Sequence, residues 1–349
     1  MKRIFVISTI LSCILSVKAQ PSQWTDISNV DLGHGARDLY YSENLDMTVF
    51  CGVFLTAGGE RYLGGFNGEE WIRLTDTLSS GIYTAVDYED GLLIGGQPSY
   101  LNTQQMPHMA YFDGDEWSFP WEFNESVTKL KWVNDTLFAL GFFTEVDGDL
   151  IYEVAKLVNG SWEGAFSKPD SLEWDVISDI AFYDGIYYIS GKFVFENSIT
   201  ALLKIENETL IEATNQLVIG GWHGVGSLEV FQDELYIAGT IVAGPLGLGN
   251  PGNHIVRWDG EQLRDVGCNI LEYPNNPAYG GIRGLEMIGD NIYAGGVFRA
   301  CDDFPLFEIG RWDGSRWCSL FTSDFEQPEL PFEQRLLEIG KCRDQRRFQ

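Results

Sequence analysis

The sequence predicts an all-β protein made of tandem four-stranded antiparallel sheets. Three observations carry that reading. A Trp-marked unit recurs about every 49 residues, a glycine ends one apolar strand in each unit, and an Asp-Gly or Asn-Gly hairpin closes most of them.

The marker positions are Trp24, Trp71, Trp117, Trp162, Leu210, Leu263 and Trp317, so six repeats end near the last six of them. Each repeat begins with an alternating apolar pair: Leu39-Tyr41, Val86-Tyr88, Leu130-Trp132, Ile180-Phe182, Leu228-Val230 and Leu285-Met287. Two residues apart, the members of a pair share one side of a strand. Turn residues follow, as in Glu89-Asp90-Gly91 and Asp184-Gly185. The second strand is apolar and ends in glycine, as in Leu93-Ile94-Gly95-Gly96, Tyr188-Ile189-Ser190-Gly191 and Tyr293-Ala294-Gly295-Gly296. Glycine weakens a strand interior, so its return at one place implies close packing of backbone or a ring there. The third and fourth strands form a hairpin, clearest in Tyr111-Phe112-Asp113-Gly114-Asp115-Glu116-Trp117 and Arg311-Trp312-Asp313-Gly314-Ser315-Arg316-Trp317. There Asp-Gly is expected to supply the positive φ of a tight turn.

Repeated four-stranded units with hardly any helical periodicity favour radial closure, which protects strand edges. The predicted architecture is therefore a β-propeller of four-stranded antiparallel blades over 20–320. Six blades are favoured. A seventh would need the orphan strand at Trp24 together with 321–349, a tail that has neither the glycine strand nor Asp-Gly. A β-solenoid is the rival, but its turns are shorter and lack repeated hairpins.

Gly-Gly after an apolar strand, then an aromatic residue and a Trp, resembles the kelch repeat and the galactose-oxidase-type propeller. Leu63-Gly64-Gly65-Phe66-Asn67-Gly68, Gly141-Phe142-Phe143-Thr144-Glu145-Val146-Asp147-Gly148 and Ala294-Gly295-Gly296-Val297-Phe298 resemble secreted propellers of Bacteroidetes-type bacteria more closely. The resemblance spans roughly 24–320 and implies a fold rather than an activity. Such proteins often carry a C-terminal sorting domain for type IX secretion, and 321–349 shows none.

Residues 1–19 read as an export signal. Lys2 and Arg3 precede the apolar stretch Ile4 to Leu15, and Val17-Lys18-Ala19 offers a small-residue cleavage site. The stretch is too short to span a bilayer. Lipoprotein processing at Cys13 is the alternative. No later segment is long and apolar enough for a membrane helix, so a secreted or cell-surface location is expected. With 51 acidic against 23 basic side chains the net charge is −28, which disfavours nucleic acid and anionic lipid as partners. Cysteines are few, and Cys301 and Cys318 fall in one repeat, so a bridge between them is expected in an oxidising compartment.

Ligand-binding candidates come from the internal alignment. Two residues before the first apolar position stand Arg37, Thr84, Thr128, Ser178, Gly226 and Arg283, expected at a channel rim. Arg37 and Arg283 belong to the first and last repeats, which would adjoin in a closed ring. Paired guanidiniums suit a carboxylate or sulfate ligand, unless each binds a nearby acid such as Asp38. His34, Trp222 and His223 fall in loops leading to the same rim, where a Trp can stack on a sugar or simply pack the loop.

Catalytic and metal sets do not assemble in the sequence. The four histidines, His34, His108, His223 and His254, read as unrelated repeat positions, so the galactose-oxidase copper set cannot be placed. There is no Gly-x-Ser-x-Gly, His-Glu-x-x-His or phosphate loop, and Asp-Gly turns lack an EF-hand pattern. No cofactor or metal is expected. The sequence thus points to a non-catalytic propeller that binds an extracellular glycan or protein through rim loops. A carbohydrate-active lyase or hydrolase using rim carboxylates is the first alternative, and a module of a larger surface protein the second.

Overall fold

The computed structural model describes residues 34–320, except 56–58, 60, 99, 170–171, 196–197, 220–223, 244–250, 272–280, 303 and 307. The signal segment, the strand at Trp24, Trp222, His223 and the tail 321–349 lie outside the described residues. All regular elements described are strands, and they build the predicted class, a six-bladed β-propeller of four-stranded antiparallel sheets.

The chain divides into two compact units between Ala165 and Phe166. The first holds three blades. Blade 1 is His34–Ser42, Met47–Leu55, Arg61–Phe66 and Trp71–Arg73. Blade 2 is Ile82–Tyr88, Gly91–Gly96, Met109–Phe112 and Trp117–Ser118, and blade 3 is Val127–Val133, Thr136–Gly141, Val154–Val158 and Ser161–Gly164. In the second unit, blade 4 is Leu172–Tyr183, Ile186–Phe195, Ser198–Glu206 and Thr209–Glu212. Blade 5 is Val225–Phe231, Glu234–Ala243, Asn253–Trp258 and Leu263–Arg264, with Leu217–Ile219 added on its second strand. Blade 6 is Gly281–Ile288, Asn291–Val297, Ile309–Trp312 and Trp317–Ser319.

The second strands explain why this sequence packs as stacked sheets. Leu92, Leu93 and Ile94 are all fully buried, although neighbours on a strand face opposite ways. Leu92 and Ile94 join Val49, Cys51 and Leu63 in the core between blades 1 and 2. Leu93 joins Leu130, Ala139 and Trp162 between blades 2 and 3. Blade 5 repeats the scheme, with Leu235 and Ile237 packed toward blade 4 and Tyr236 and Ala238 toward blade 6. A middle blade is covered on both faces, so its second strand reads as a continuous apolar run.

Two of the marker Trp residues staple one blade to the next. The indole N–H of Trp117 donates to the carbonyl of Leu74, 3.1 Å away and just past the last strand of blade 1. Trp317 reaches Val266, just past the last strand of blade 5, at 2.7 Å.

The hairpins differ in part from the sequence expectation. Asn159-Gly160 and Asn207-Glu208 are two-residue turns with both φ values positive. The Asp-Gly segments are longer. Phe112 pairs with Trp117, leaving a four-residue loop in which Asp113 Oδ1 accepts the N–H groups of Asp115 and Glu116 at 2.9 and 2.8 Å. Asn67, Asp259 and Asp313 cap their loops in the same way.

The disulfide expectation is corrected. Cys301 bonds Cys268, not Cys318, and Cys318 is itself in another disulfide. The reason is a second device between blades, placed where the chain crosses from second to third strand. In blade 2, Leu101 bridges Leu78 and Asn102 bonds to Asp76 and Thr77 beyond blade 1. In blade 3, Val146 bridges Phe123 while Asp147 exchanges hydrogen bonds with Glu122. In blade 6, Cys301 pairs with Ile270 and Asp302 exchanges hydrogen bonds with Asn269. Cys301 therefore stands where Leu101 and Val146 stand, facing the segment that leaves the preceding blade.

Candidate functional site

One irregularity recurs in every blade. The ladder between first and second strands skips a residue at Arg37, Tyr83, Thr128, Ser178, Gly226 and Arg283. On the second strand the skip always falls beside the recurring glycine, namely Gly52, Gly96, Gly141, Gly191, Gly239 or Gly296. Such a bulge bends the strand and re-aims the extra side chain.

The bulge also explains the glycine. The carbonyl two residues before the bulge turns toward the second strand, where Ser126 O accepts from Phe142 N–H at 3.0 Å and Gly224 O from Thr240 N–H at 2.8 Å. A methyl group on Gly96 would lie 2.6 Å from the carbonyl of Gly81. On Gly141, Gly191, Gly239 and Gly296 it would meet the carbonyls of Ser126, Val176, Gly224 and Gly281 closer still. The close approach read from the sequence is therefore backbone on backbone.

The next residue has a different task. Thr84 Oγ1 accepts the Leu130 N–H of the following blade at 3.0 Å. Asp179 Oδ2 accepts from Leu228 at 2.9 Å, and Ser227 Oγ from Leu285 at 3.1 Å. All three acceptors are buried. Thr84 is thus a bolt between blades and not a rim residue. The bulge of blade 2 is Tyr83, because Ala85, not Val86, fills the place held by Leu130 in blade 3.

In the first unit two of the three bulged residues, Arg37 and Tyr83, touch. The exposed Arg37 guanidinium lies 4.2 Å from the Tyr83 ring centre. The Tyr83 hydroxyl donates to Gln97 Oε1 at 2.8 Å, as does Ser80 Oγ at 3.2 Å. Asp38 Oδ1 accepts the Leu39 N–H at 2.9 Å, and among the described residues no ion pair joins a carboxylate to Arg37. Thr128 Oγ1 donates within its own blade to Leu140 O at 3.1 Å. Gln97 follows Gly96, and the corresponding residue of blade 3, Phe142, is 48% exposed.

In the second unit Arg283 is half-buried, and loss of solvent lowers its pKa. A side chain on Gly226 would come within 3.2 Å of the Arg283 carbonyl. Arg37 and Arg283 belong to different units. His34 heads the first strand of blade 1, opposite Val53.

Two histidines prove equivalent, against the sequence reading. His108, just before the third strand of blade 2, and His254, the second residue of the third strand of blade 5, have φ values of 64° and 65°, the conformation that Glu153 and Glu308 share at 62° and 67°. The carbonyls of His108, Glu153 and Glu308 accept the N–H of Gly96, Gly141 and Gly296. Burial lowers the pKa of His108, while Glu125 and backbone hydrogen bonds at Gly96 and Gln97 act the other way. Among the described residues no three His, Cys, Asp or Glu side chains gather as metal ligands.

Sequence reasoning missed Tyr83, Gln97 and Phe142. The signal was the strand-ending glycine, since Gln97 and Phe142 each follow one and Tyr83 lies across from one.

The fold is that of a β-propeller whose first strands each carry a bulge at the same register. Neither protein-family profiles nor curated proteins match the chain. Among solved structures it is similar to the β-propeller domain of Cps50 (Swd1) from Myceliophteria thermophila. That similarity is 11% identity over 79% of this chain and 82% of that one, with a TM-score of 0.42. It is also similar to the WD40 repeats of RRP9, at 9% identity over 75% and 74% of the two chains and a TM-score of 0.44.

Proposed function

We propose that this chain is an exported, non-catalytic binding propeller that recognises a glycan or protein through the bulged edge of its first strands. One contrast carries the reading. The bulge falls at one place in all six blades and is built by a recurring glycine, yet its residues are Arg37, Tyr83, Thr128, Ser178, Gly226 and Arg283. A scaffold that repeats while its bulged residues vary suits recognition, because each blade can offer a different group from the same backbone device. The alternative of a lyase or hydrolase asks for acids at this edge, and none of the six is acidic. The signal-like start and the excess of acid over base support export. The kelch-like pattern supports membership of the same broad class.

The test is a glycan array together with a pull-down against extracellular proteins, using the full chain and the variants Thr128→Ala and Arg283→Ala. A ligand whose binding weakens in at least one folded variant is the expected result. Two empty screens, or a ligand indifferent to every bulged position, would overturn the proposal.

A further inference from the structure

We infer that Arg37, Tyr83 and Gln97 receive the carboxylate of an acidic sugar in a uronate-containing glycan, a step that rests on the binding reading above. In a chain with more than two acids for each base, an exposed arginine ordinarily finds a carboxylate. The central carbon of the Arg37 guanidinium instead sits over the Tyr83 ring, 4.2 Å from its centre. A cation held there by the ring keeps its planar fork of N–H donors, which matches a carboxylate.

Gln97 completes the donor set. Its Oε1 already accepts from the Tyr83 hydroxyl at 2.8 Å and from Ser80 Oγ at 3.2 Å. With both hydroxyls donating to Oε1, the NH2 group has two donors for a ligand. One tyrosine therefore holds a cationic fork at its ring and an amide donor at its hydroxyl end. The blade 3 residue that matches Gln97 is Phe142, exposed to 48%. An exposed apolar ring at the matching position of the next blade offers a surface for the C–H face of a pyranose. A peptide carboxylate would use the fork but has no need of that face.

The experiment is calorimetric titration of the full chain with trigalacturonate, with its methyl ester, and with a short peptide bearing a free C-terminus. The free acid should bind roughly tenfold or more tightly than the ester, the scale of a hydrogen bond to a charged group. Arg37→Gln should bring the acid down to the level of the ester without changing the melting temperature, since the side chain is exposed. Arg37→Lys, which keeps the charge but not the fork, should lose most of the preference and serves as the second variant if Arg37→Gln is poorly folded. Phe142→Ala should weaken acid and ester alike. Equal binding of acid and ester, a preference that survives Arg37→Gln, or binding of the peptide alone would overturn the inference. A neutral glycan or protein ligand that depends on Thr128 or Arg283 would remove it while leaving the wider reading intact.

Discussion

Replacing Gly296 by alanine is expected to destabilise the protein by about 2–4 kcal/mol, while the same change at Gly295 alters little. The two residues adjoin on the second strand of blade 6, so burial and strand environment are closely matched. A Cβ on Gly296 would lie 2.8 Å from Ile282 Cα and 2.9 Å from Arg283 N, and nearer still to the Gly281 carbonyl. Ordinary contact begins at about 3.4 Å, and all three atoms belong to the backbone. Relief therefore means moving the first strand, which adds an overpacking penalty of about 1–3 kcal/mol. Parting the strands also weakens a ladder hydrogen bond worth about 1 kcal/mol. A Cβ on Gly295 meets nothing within 4 Å, because its partner across the ladder is Gly284. Its φ is not in the left-handed region, so alanine gains only the entropic benefit of about 0.4–1 kcal/mol. Urea unfolding followed by tryptophan fluorescence measures both. Equal midpoints, or a lower one for Gly295→Ala, would refute the claim that a first-strand carbonyl selects the recurring glycine.

Three further outcomes follow from the contacts between blades. Thr84→Val keeps the shape but leaves the buried Leu130 N–H without its acceptor, so a loss of about 1–3 kcal/mol is expected, with Thr84→Ser near wild type in the same melts. Peptide mapping without reduction should recover a Cys268–Cys301 pair, and Cys268→Ser with Cys301→Ser should lower stability by about 3–4 kcal/mol for a separation of 33 residues. Burial holds His108 below its ordinary value of 6.5, so the unfolded chain takes up the proton first as pH falls. Stability from this group is whole above the unfolded pKa and declines as pH drops from there toward the folded one. His108→Gln should flatten that part of a stability–pH profile, and an unchanged slope would count against it.

Much of the fold was legible because the scaffold repeats. Trp71, Trp117, Trp162, Leu210, Leu263 and Trp317 all fall in fourth strands. The glycine marks a close backbone approach in five blades, Gly52 being the sixth by register. The disulfide was not legible from shared membership of a repeat, because the contact joins one blade to the segment leaving the blade before it. Its signal was the pattern of an apolar residue followed by Asn or Asp, at Leu101-Asn102, Val146-Asp147 and Cys301-Asp302. The equivalence of His108 and His254 was hidden for a similar reason. Each stands five residues before the Asp of an Asp-Gly loop, as Glu308 does, but histidine and glutamate do not look alike in a scan for ligands.

The misplacement of Thr84 shows why the candidate site was harder to read than the scaffold. Across a bulge, three successive residues do three different things. In blade 5, Gly226 is the extra residue, Ser227 bolts the next blade and Leu228 enters the core. An alignment that slips by one residue exchanges the bulged residue for a structural one. Apolar alternation cannot prevent the slip in blade 2, where Ala85 and Val86 are both buried in cores but only Ala85 holds the ladder place of Leu130. The glycine can, because it is chosen by a carbonyl whose position the bulge fixes. Registering each repeat on its glycine places Tyr83 beside Arg37 and sets Gln97 and Phe142 at one position, so the donors and the aromatic faces of the first unit fall into line.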